Sequence, residues 1–386
     1  MLSGEYGEVV ERSFRLLVRL GEIYGADRMI PVGSVQVAGV SYKSIGDPGL
    51  EFLEDLAAKG AKVKVPTTLN PPGMDLEDWK ELGFPEDFAE KQLRIMDAFK
   101  KMGIMMTATC TPYLVGNLPR FREHIAWSES SAVSFANSVI GARTNREGGP
   151  SALAAALCGV TPNYGLHLDE NRKPSFLVRV SAELKSNSDF GALGYHVGKI
   201  VKDKIPYFLG IKDADVDQLK ALGAAMAASG AVALYHVEGL TPEAGLMNTS
   251  GLETIEVGDL ELRGAYEKLN TGKDPDIIIL GCPHASLKEI AALACKLDGK
   301  CLKKPLWICT SRITKEAATH MGFTELIEKA GGKVVADTCT VVSPIERMGY
   351  RTTGVDSGKA ANYQPGLCKQ QVVFKSIDDL LEGRVA

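Results

Sequence analysis

Three of the eight cysteines in this 386-residue chain share one context. Cys110 follows Gly103-Ile-Met-Met-Thr-Ala-Thr and precedes Thr-Pro. Cys282 follows Asp276-Ile-Ile-Ile-Leu-Gly and precedes Pro283-His284. Cys339 follows Lys333-Val-Val-Ala-Asp-Thr and reaches Pro344 after Thr-Val-Val-Ser. In each case an apolar run expected to be a strand ends and a thiol appears at its C-terminal edge, where open α/β sheets bind ligands. Three such thiolates converging from different strands would suit an iron–sulfur cluster that leaves one iron open to substrate. The competing reading is that each is a small buried hydrophobe, since free cysteine is among the most buried residue types. No CxxC pair occurs, so neither a zinc ribbon nor a thioredoxin motif is present. Cys309, in Leu306-Trp-Ile-Cys-Thr-Ser-Arg312, also ends a strand and is the rival ligand. Cys158 and Cys295 sit in Ala/Leu-rich helical stretches and read as core, while Cys301 and Cys368 read as loop residues.

The elements that would position these thiols alternate. Val9 to Tyr24 has helical spacing, then Ser34 to Val40 reads as a strand that ends in a turn at Ser44 to Gly49. A helix from Leu50 to Lys59 and a strand from Ala61 to Val65 complete a βαβ unit with parallel strands, followed by a loop at Thr67 to Gly73. A helix from Asp87 to Met102 leads to a third strand, Ile104 to Ala108. The stretch from Thr111 to Asp169 is rich in Ser, Asn, Gly and Pro, as functional loops are, with helices expected at Ser131 to Ile140 and Ser151 to Leu157. Strands are expected at Phe176 to Val180, Pro206 to Gly210, Val232 to Val237, Asp276 to Leu280, Leu306 to Thr310 and Lys333 to Ala336. Helices are expected at Val216 to Ser229, Ser286 to Leu297 and Thr314 to Ala330. The pattern is an α/β protein in two regions, 1–210 and 211–386, with parallel sheets.

Forty-four Lys and Arg against 48 Asp and Glu give a formal charge of −4, with no basic surface of the kind that general nucleic-acid binding requires. No basic segment precedes an apolar one at the N-terminus, and no apolar run approaches the roughly 18 residues of a membrane span. The expectation is a cytoplasmic protein with reduced thiols and no membrane or nucleic-acid partner.

Several stretches resemble the large subunit of the aconitase X family. They are Pro66-Thr-Thr-Leu-Asn70, Cys110-Thr-Pro, the block from Trp127 to Asn145, Gly281-Cys-Pro-His-Ala285 and Ala336-Asp-Thr-Cys339. The block from Trp127 to Asn145 is the most specific of them. The resemblance implies an aconitase-like α/β fold, two or three domains around a cleft, and an iron–sulfur hydro-lyase. Its [4Fe–4S] cluster would be bound by Cys110, Cys282 and Cys339, and isolated as [3Fe–4S] once the open iron is lost. The family has a fused form that dehydrates cis-3-hydroxy-L-proline. It also has an archaeal two-subunit form that dehydrates mevalonate 5-phosphate to trans-anhydromevalonate 5-phosphate in a modified mevalonate pathway. Only about 27 residues follow Lys359, too few for a swivelling domain, and the first strand begins near Ser34. The small domain is therefore expected on a separate subunit, in a heterodimer or higher hetero-oligomer, and the substrate is expected to be a phosphorylated hydroxy acid. The resemblance also places the general base, a serine, on that small subunit.

Carboxylate and phosphate need donors. Gly39, Val40 and Ser41 end the first strand, and Asn70 and Pro71 follow the second, so neighbouring turns could present N–H groups to an anion. Glu129 and Ser130 in the Trp127 block, Gly358 and Lys359 near the end, and Arg143 complete the candidate set. Turn chemistry alone would also explain Ser41, Asn70 and Pro71, and a helix first turn would explain Glu129. His284 could tune the cluster or be a hydrogen-bonded structural residue. Two alternatives remain beside the mevalonate reading. One is a hydroxyproline-type or other small hydroxy-acid hydro-lyase. The other is a partner that scaffolds the small subunit without a cluster.

Overall fold

Apolar runs too short to span a helix, each followed by a turn, force this chain into parallel strands connected by helices. A computed structural model describes residues 1–385. The first third carries β1 (Met29–Pro31), β2 (Val35–Val37), β3 (Thr67–Leu69), β4 (Ala126–Trp127) and β5 (Val160–Pro162). The middle carries β6 (Phe176–Val180), β7 (Pro206–Leu209), β8 (His236–Val237) and β9 (Glu253–Val257). The last part carries β10 (Ile277–Leu280), β11 (Leu306–Thr310), β12 (Gly332–Ala336), β13 (Thr352–Val355) and β14 (Gln371–Phe374).

Three parallel sheets result, with orders β3-β2-β4, β8-β7-β6-β9 and β12-β11-β10-β13-β14, while β1 pairs antiparallel with β5. The last sheet begins at its centre. The chain moves outward from β10 through β11 to β12, then returns to the other side of β10 as β13 and β14. That reversal opens a crevice beyond the C-terminal ends of β10 and β13, the place where ligands bind in open α/β sheets. The first sheet reverses in the same way, between β2 and β4. Helices cover the sheets, and separate apolar cores lie under each. The aconitase-like α/β reading agrees with this architecture.

Several boundaries differ from the sequence expectation. The strand expected at Ala61 to Val65 forms instead at β3, because Val63 and Lys64 donate their N–H groups to Met102 and Ala156 carbonyls at helix ends. Ile104 to Ala108 makes only a single bridge, Thr68 to Met105. There the Thr107 hydroxyl takes the Leu69 N–H at 3.0 Å in place of a carbonyl, and Ala108 turns left-handed at φ 42°. The strand expected from Val232 shrinks to β8, since the Asn137 and Ser138 side chains claim the Ala233 carbonyl and the Tyr235 N–H. The expected turn at Ser44 to Gly49 lies inside helix Tyr42–Ala58, which kinks at Gly46. Gly322, at φ 82°, splits the helix expected from Thr314 to Ala330 into Arg312–His320 and Phe323–Lys329. Cys295 is exposed rather than core, because helix Leu287–Leu297 buries Ile290, Leu293, Ala294 and Leu297 and turns Cys295 away. Cys368 ends helix Gly358–Cys368 and is buried, its thiol 3.1 Å from the Val341 carbonyl. No helix of the described residues is long and apolar enough to cross a membrane.

Candidate active site

The two switch-point crevices meet. Glu129 lies two residues beyond β4 in the first sheet, and Lys359 lies four residues beyond β13 in the last; their side chains form a buried ion pair. Glu129 Oε2 also accepts Asn70 Nδ2 at 2.9 Å. Glu129 Oε1 accepts the Ser131 N–H at 3.2 Å and the hydroxyls of Ser130 and Ser131 at 3.2 and 3.1 Å. Burial pushes the Glu129 carboxyl up, but the Lys359 charge and these donors outweigh it and hold the group near a pKa of about 2. Burial likewise disfavours the Lys359 ammonium, and the charges of Glu129, Cys282 and Cys110 reverse the effect, leaving its pKa above the ordinary lysine range. This site therefore holds a fixed, dry cation.

Lys359 stands in the first turn of helix Gly358–Cys368, capped by the Ser357 hydroxyl. Gly358 is required by close packing: a Cβ there would lie 2.6 Å from the Gly191 carbonyl oxygen. A side chain at 358 would lift the helix, and Lys359 with it.

Cys110 is buried, while Cys282 and Cys339 keep partial exposure. Burial raises all three thiols, Cys282 to about 12, and the Lys359 charge is the largest influence opposing that rise in each. The Ser357 side chain also lowers the Cys282 pKa. The three thiols, from three separate segments, thus share the field of one ammonium. Cys309 sits in the apolar core with Ile279, Trp307 and Val335, enclosed within β11. Among the described residues, no three His, Cys, Asp or Glu side chains gather closely enough to hold a single metal ion. Three cysteine thiols beside one buried ammonium are donors of the kind an iron–sulfur cluster takes.

The anion-side turns are stapled to the Cys339 segment. The Ser41 hydroxyl donates to the Val342 carbonyl at 2.7 Å, and the Cys339 N–H donates to the Pro72 carbonyl at 2.9 Å. The Lys43 ammonium donates to the Ser343 carbonyl at 2.7 Å. Parallel register places Val37 beside Leu69, so Gly39 to Ser41 lie beside Asn70 and Pro71. The Val40 side chain is buried and its carbonyl accepts Gln92 Nε2 at 2.9 Å, which leaves its backbone N–H as the group it can offer. Asn70 Oδ1 is buried without a partner, the mark of an acceptor whose donor is a ligand or water.

Arg143 is held elsewhere. Its guanidinium pairs with Glu243 at 3.1 Å and with Asp169, and Glu243 in turn pairs with Arg172. No hydrogen bond among the described residues joins Arg143 to Lys359 or Glu129. Much of the Trp127 block is likewise a brace. Trp127 is buried with its indole N–H 3.2 Å from Ser34 Oγ, and the Asn137 side chain ties the Thr144 and Ala233 carbonyls together. Only Glu129, Ser130 and Ser131 of that block reach the site. Sequence reasoning missed Ser131 and Ser357; a helix-capping pattern at each was the available signal.

Residues 1–170, 174–267 and 275–386 match the aconitase X first, second and third domains. The phosphomevalonate dehydratase large subunit of Methanocaldococcus jannaschii is 58% identical over 100% of this chain and 98% of its own length. The chain belongs to the aconitase X family. A crystal structure of Thermococcus kodakaraensis aconitase X in its holo form superposes with a TM-score of 0.93 at 51% identity, covering 99% of this chain and 97% of that one. Another aconitase X relative, the cis-3-hydroxy-L-proline dehydratase of Pseudomonas aeruginosa, is 36% identical over 100% of this chain but only 68% of its own length.

Proposed function

We propose that this chain is the large subunit of a phosphomevalonate dehydratase, a hydro-lyase that removes water from (R)-mevalonate 5-phosphate to give trans-anhydromevalonate 5-phosphate. The observation that carries the substrate choice is the comparison of relatives. Phosphomevalonate dehydratase large subunits from Methanocaldococcus jannaschii and Methanothermobacter thermautotrophicus are 58% and 57% identical and align over nearly their whole length. The hydroxyproline enzyme is 36% identical and half as long again.

The proposal assigns Cys110, Cys282 and Cys339 to a [4Fe–4S] cluster. When bound, the cluster supplies a Lewis acid for the departing hydroxyl. The protein's own residues do the rest. Lys359 presents a desolvated positive charge to the substrate's anionic groups, and Glu129 holds that ammonium in place. Ser130, Pro71, the Gly358 backbone and the N–H groups of Gly39, Val40 and Ser41 line the anion side, while Asn70 Oδ1, an unpartnered acceptor, can take a hydrogen bond from a substrate hydroxyl. Burial of these groups excludes water and strengthens each contact. The proton on the carbon beside the carboxylate leaves to a base on a separate small subunit, in line with the "large subunit" in the relatives' names. The complex is placed in the cytoplasm.

The test is anaerobic reconstitution with the small subunit, followed by assay of both substrates. Turnover of mevalonate 5-phosphate with none of cis-3-hydroxy-L-proline is the expected result, and the reverse overturns the substrate choice. An iron-free, folded complex with no activity on either would favour the scaffold reading.

A further inference from the structure

We propose that His284 is a positioning residue that fixes the spacing of the three cysteine loops before any cofactor arrives. The inference rests on the reading of Cys110, Cys282 and Cys339 as ligands. His284 is 1% exposed, so both ring nitrogens and its backbone groups must find partners inside the protein. Ring Nε2 lies 3.0 Å from the Thr338 carbonyl oxygen, which can only accept, so Nε2 carries the proton and donates it. In the neutral ring Nδ1 is then an acceptor, and the Thr109 hydroxyl donates to it at 3.0 Å. The backbone N–H of His284 donates to Cys110 Sγ at 3.2 Å. Its carbonyl accepts Lys220 Nζ at 3.3 Å, and Lys220 is itself held by Asp217 and Glu289.

Each partner adjoins a thiol. Thr109 precedes Cys110, Thr338 precedes Cys339, and His284 itself stands two residues after Cys282. One imidazole in one tautomer therefore ties all three segments together. Lys220, from helix Val216–Gly230, anchors the knot to the middle sheet's layer. No covalent chemistry is required of the ring. Its contribution is to hold three loops, drawn from distant parts of the chain, in register.

The experiment compares wild type, His284→Leu and His284→Gln in the complex with the small subunit. The Gln side chain can return a donor to the Thr338 carbonyl, and Leu cannot. In cofactor-free complex, selective ¹⁵N-histidine spectra are expected to show His284 as the neutral Nε2–H tautomer, and His284→Leu is expected to speed alkylation of Cys110 by about tenfold or more. After reconstitution, His284→Leu is expected to lose iron to a chelator about 10–100-fold faster than wild type, the range for removing a group that orients metal ligands. Gln should recover part of that lifetime, and His284→Leu is expected to melt below wild type because the Thr338 carbonyl loses its buried donor. Equal iron lifetimes in wild type and His284→Leu, or unchanged alkylation of Cys110, would overturn the inference. If Leu does not fold, Thr109→Val, which removes the partner of Nδ1, takes its place, and an iron lifetime equal to wild type in that variant would overturn the inference. Failure of wild type itself to take up iron would instead count against the cofactor assignment, and the alkylation and tautomer results would still decide the clamp.

Discussion

Replacing Lys359 with Met leaves Glu129 in a buried site with four neutral donors and no cation. The carboxyl then either keeps an uncompensated charge or takes a proton. Protonation sets the ceiling on the cost. The solution at pH 7 lies well above the group's ordinary value of 4.5, and at about 1.36 kcal/mol per unit neutralising it costs roughly 3 kcal/mol. That falls within the ~3–5 kcal/mol typical of removing one partner from a buried pair. The sign of the pH dependence follows. In wild type the folded value is depressed to about 2, so the pair's contribution is complete above pH 4.5 and is lost only as pH falls through about 2. In Lys359→Met the folded value is raised, so stability falls as pH rises above 4.5. The gap between the two proteins should therefore shrink by about 2 kcal/mol between pH 7 and pH 5.5. Urea unfolding of the cofactor-free chain at both pH values reads this directly. Adding Glu129→Gln to Lys359→Met should recover most of the loss, because no charge is then left behind. A gap below about 1 kcal/mol, or the same gap at both pH values, would refute the electrostatic account of the pair.

Three further outcomes are expected. Cys282→Ser should abolish visible absorption and iron after anaerobic reconstitution while shifting the melting temperature little, whereas Cys295→Ser, on an exposed helix face, should retain both; equal iron contents would remove Cys282 from the ligand set. Gly73→Ala should lower iron retention, since the new Cβ would lie 2.5 Å from the Val342 carbonyl oxygen and 2.8 Å from Ser41 Oγ and would push the Cys339 loop outward; unchanged iron retention would show that the loop can give way. Arg143→Gln should cost about 2–3 kcal/mol through Glu243 yet leave KM for mevalonate 5-phosphate within about twofold, and a tenfold rise in KM would place Arg143 at the substrate.

The legible part of this protein was its strand-end grammar. Ile277 to Leu280 and Leu306 to Thr310 are continuous apolar runs of strand length, and each forms a parallel strand buried on both faces. Cys282 and Cys339 follow β10 and β12 as that grammar predicts, whereas Cys110 follows a segment that makes only a single bridge. What the sequence hid were strands whose pattern is diluted by surface exposure. Glu253–Val257 has one fully buried residue, at Val257, and carries no apolar run to reveal it. Side chains that replace backbone partners were hidden too: Thr107 interrupts a ladder and Asn137 splices two segments, and neither act follows from residue type. The ion pair of Glu129 with Lys359 joins residues more than two hundred positions apart, which periodicity cannot register. Arg143 shows the opposite failure. A guanidinium near a glycine-rich turn suits an anion, yet here it is committed to Glu243 and Asp169.

The meeting of the two crevices also orders events during synthesis. Cys110 emerges early, but its field-setting ammonium at Lys359 lies about 250 residues later, a delay on the order of 10–50 s at ordinary translation rates. Until then Glu129 and all three site thiols, Cys110, Cys282 and Cys339, lack the counter-charge that Lys359 supplies. Helix Gly358–Cys368, packed closely on Gly191, is the element that completes the site. A chain cut before that helix would keep Cys110, Cys282, Cys339 and Glu129 but lose the one cation they share, so the thiols and their charge partner are separable by a single cleavage.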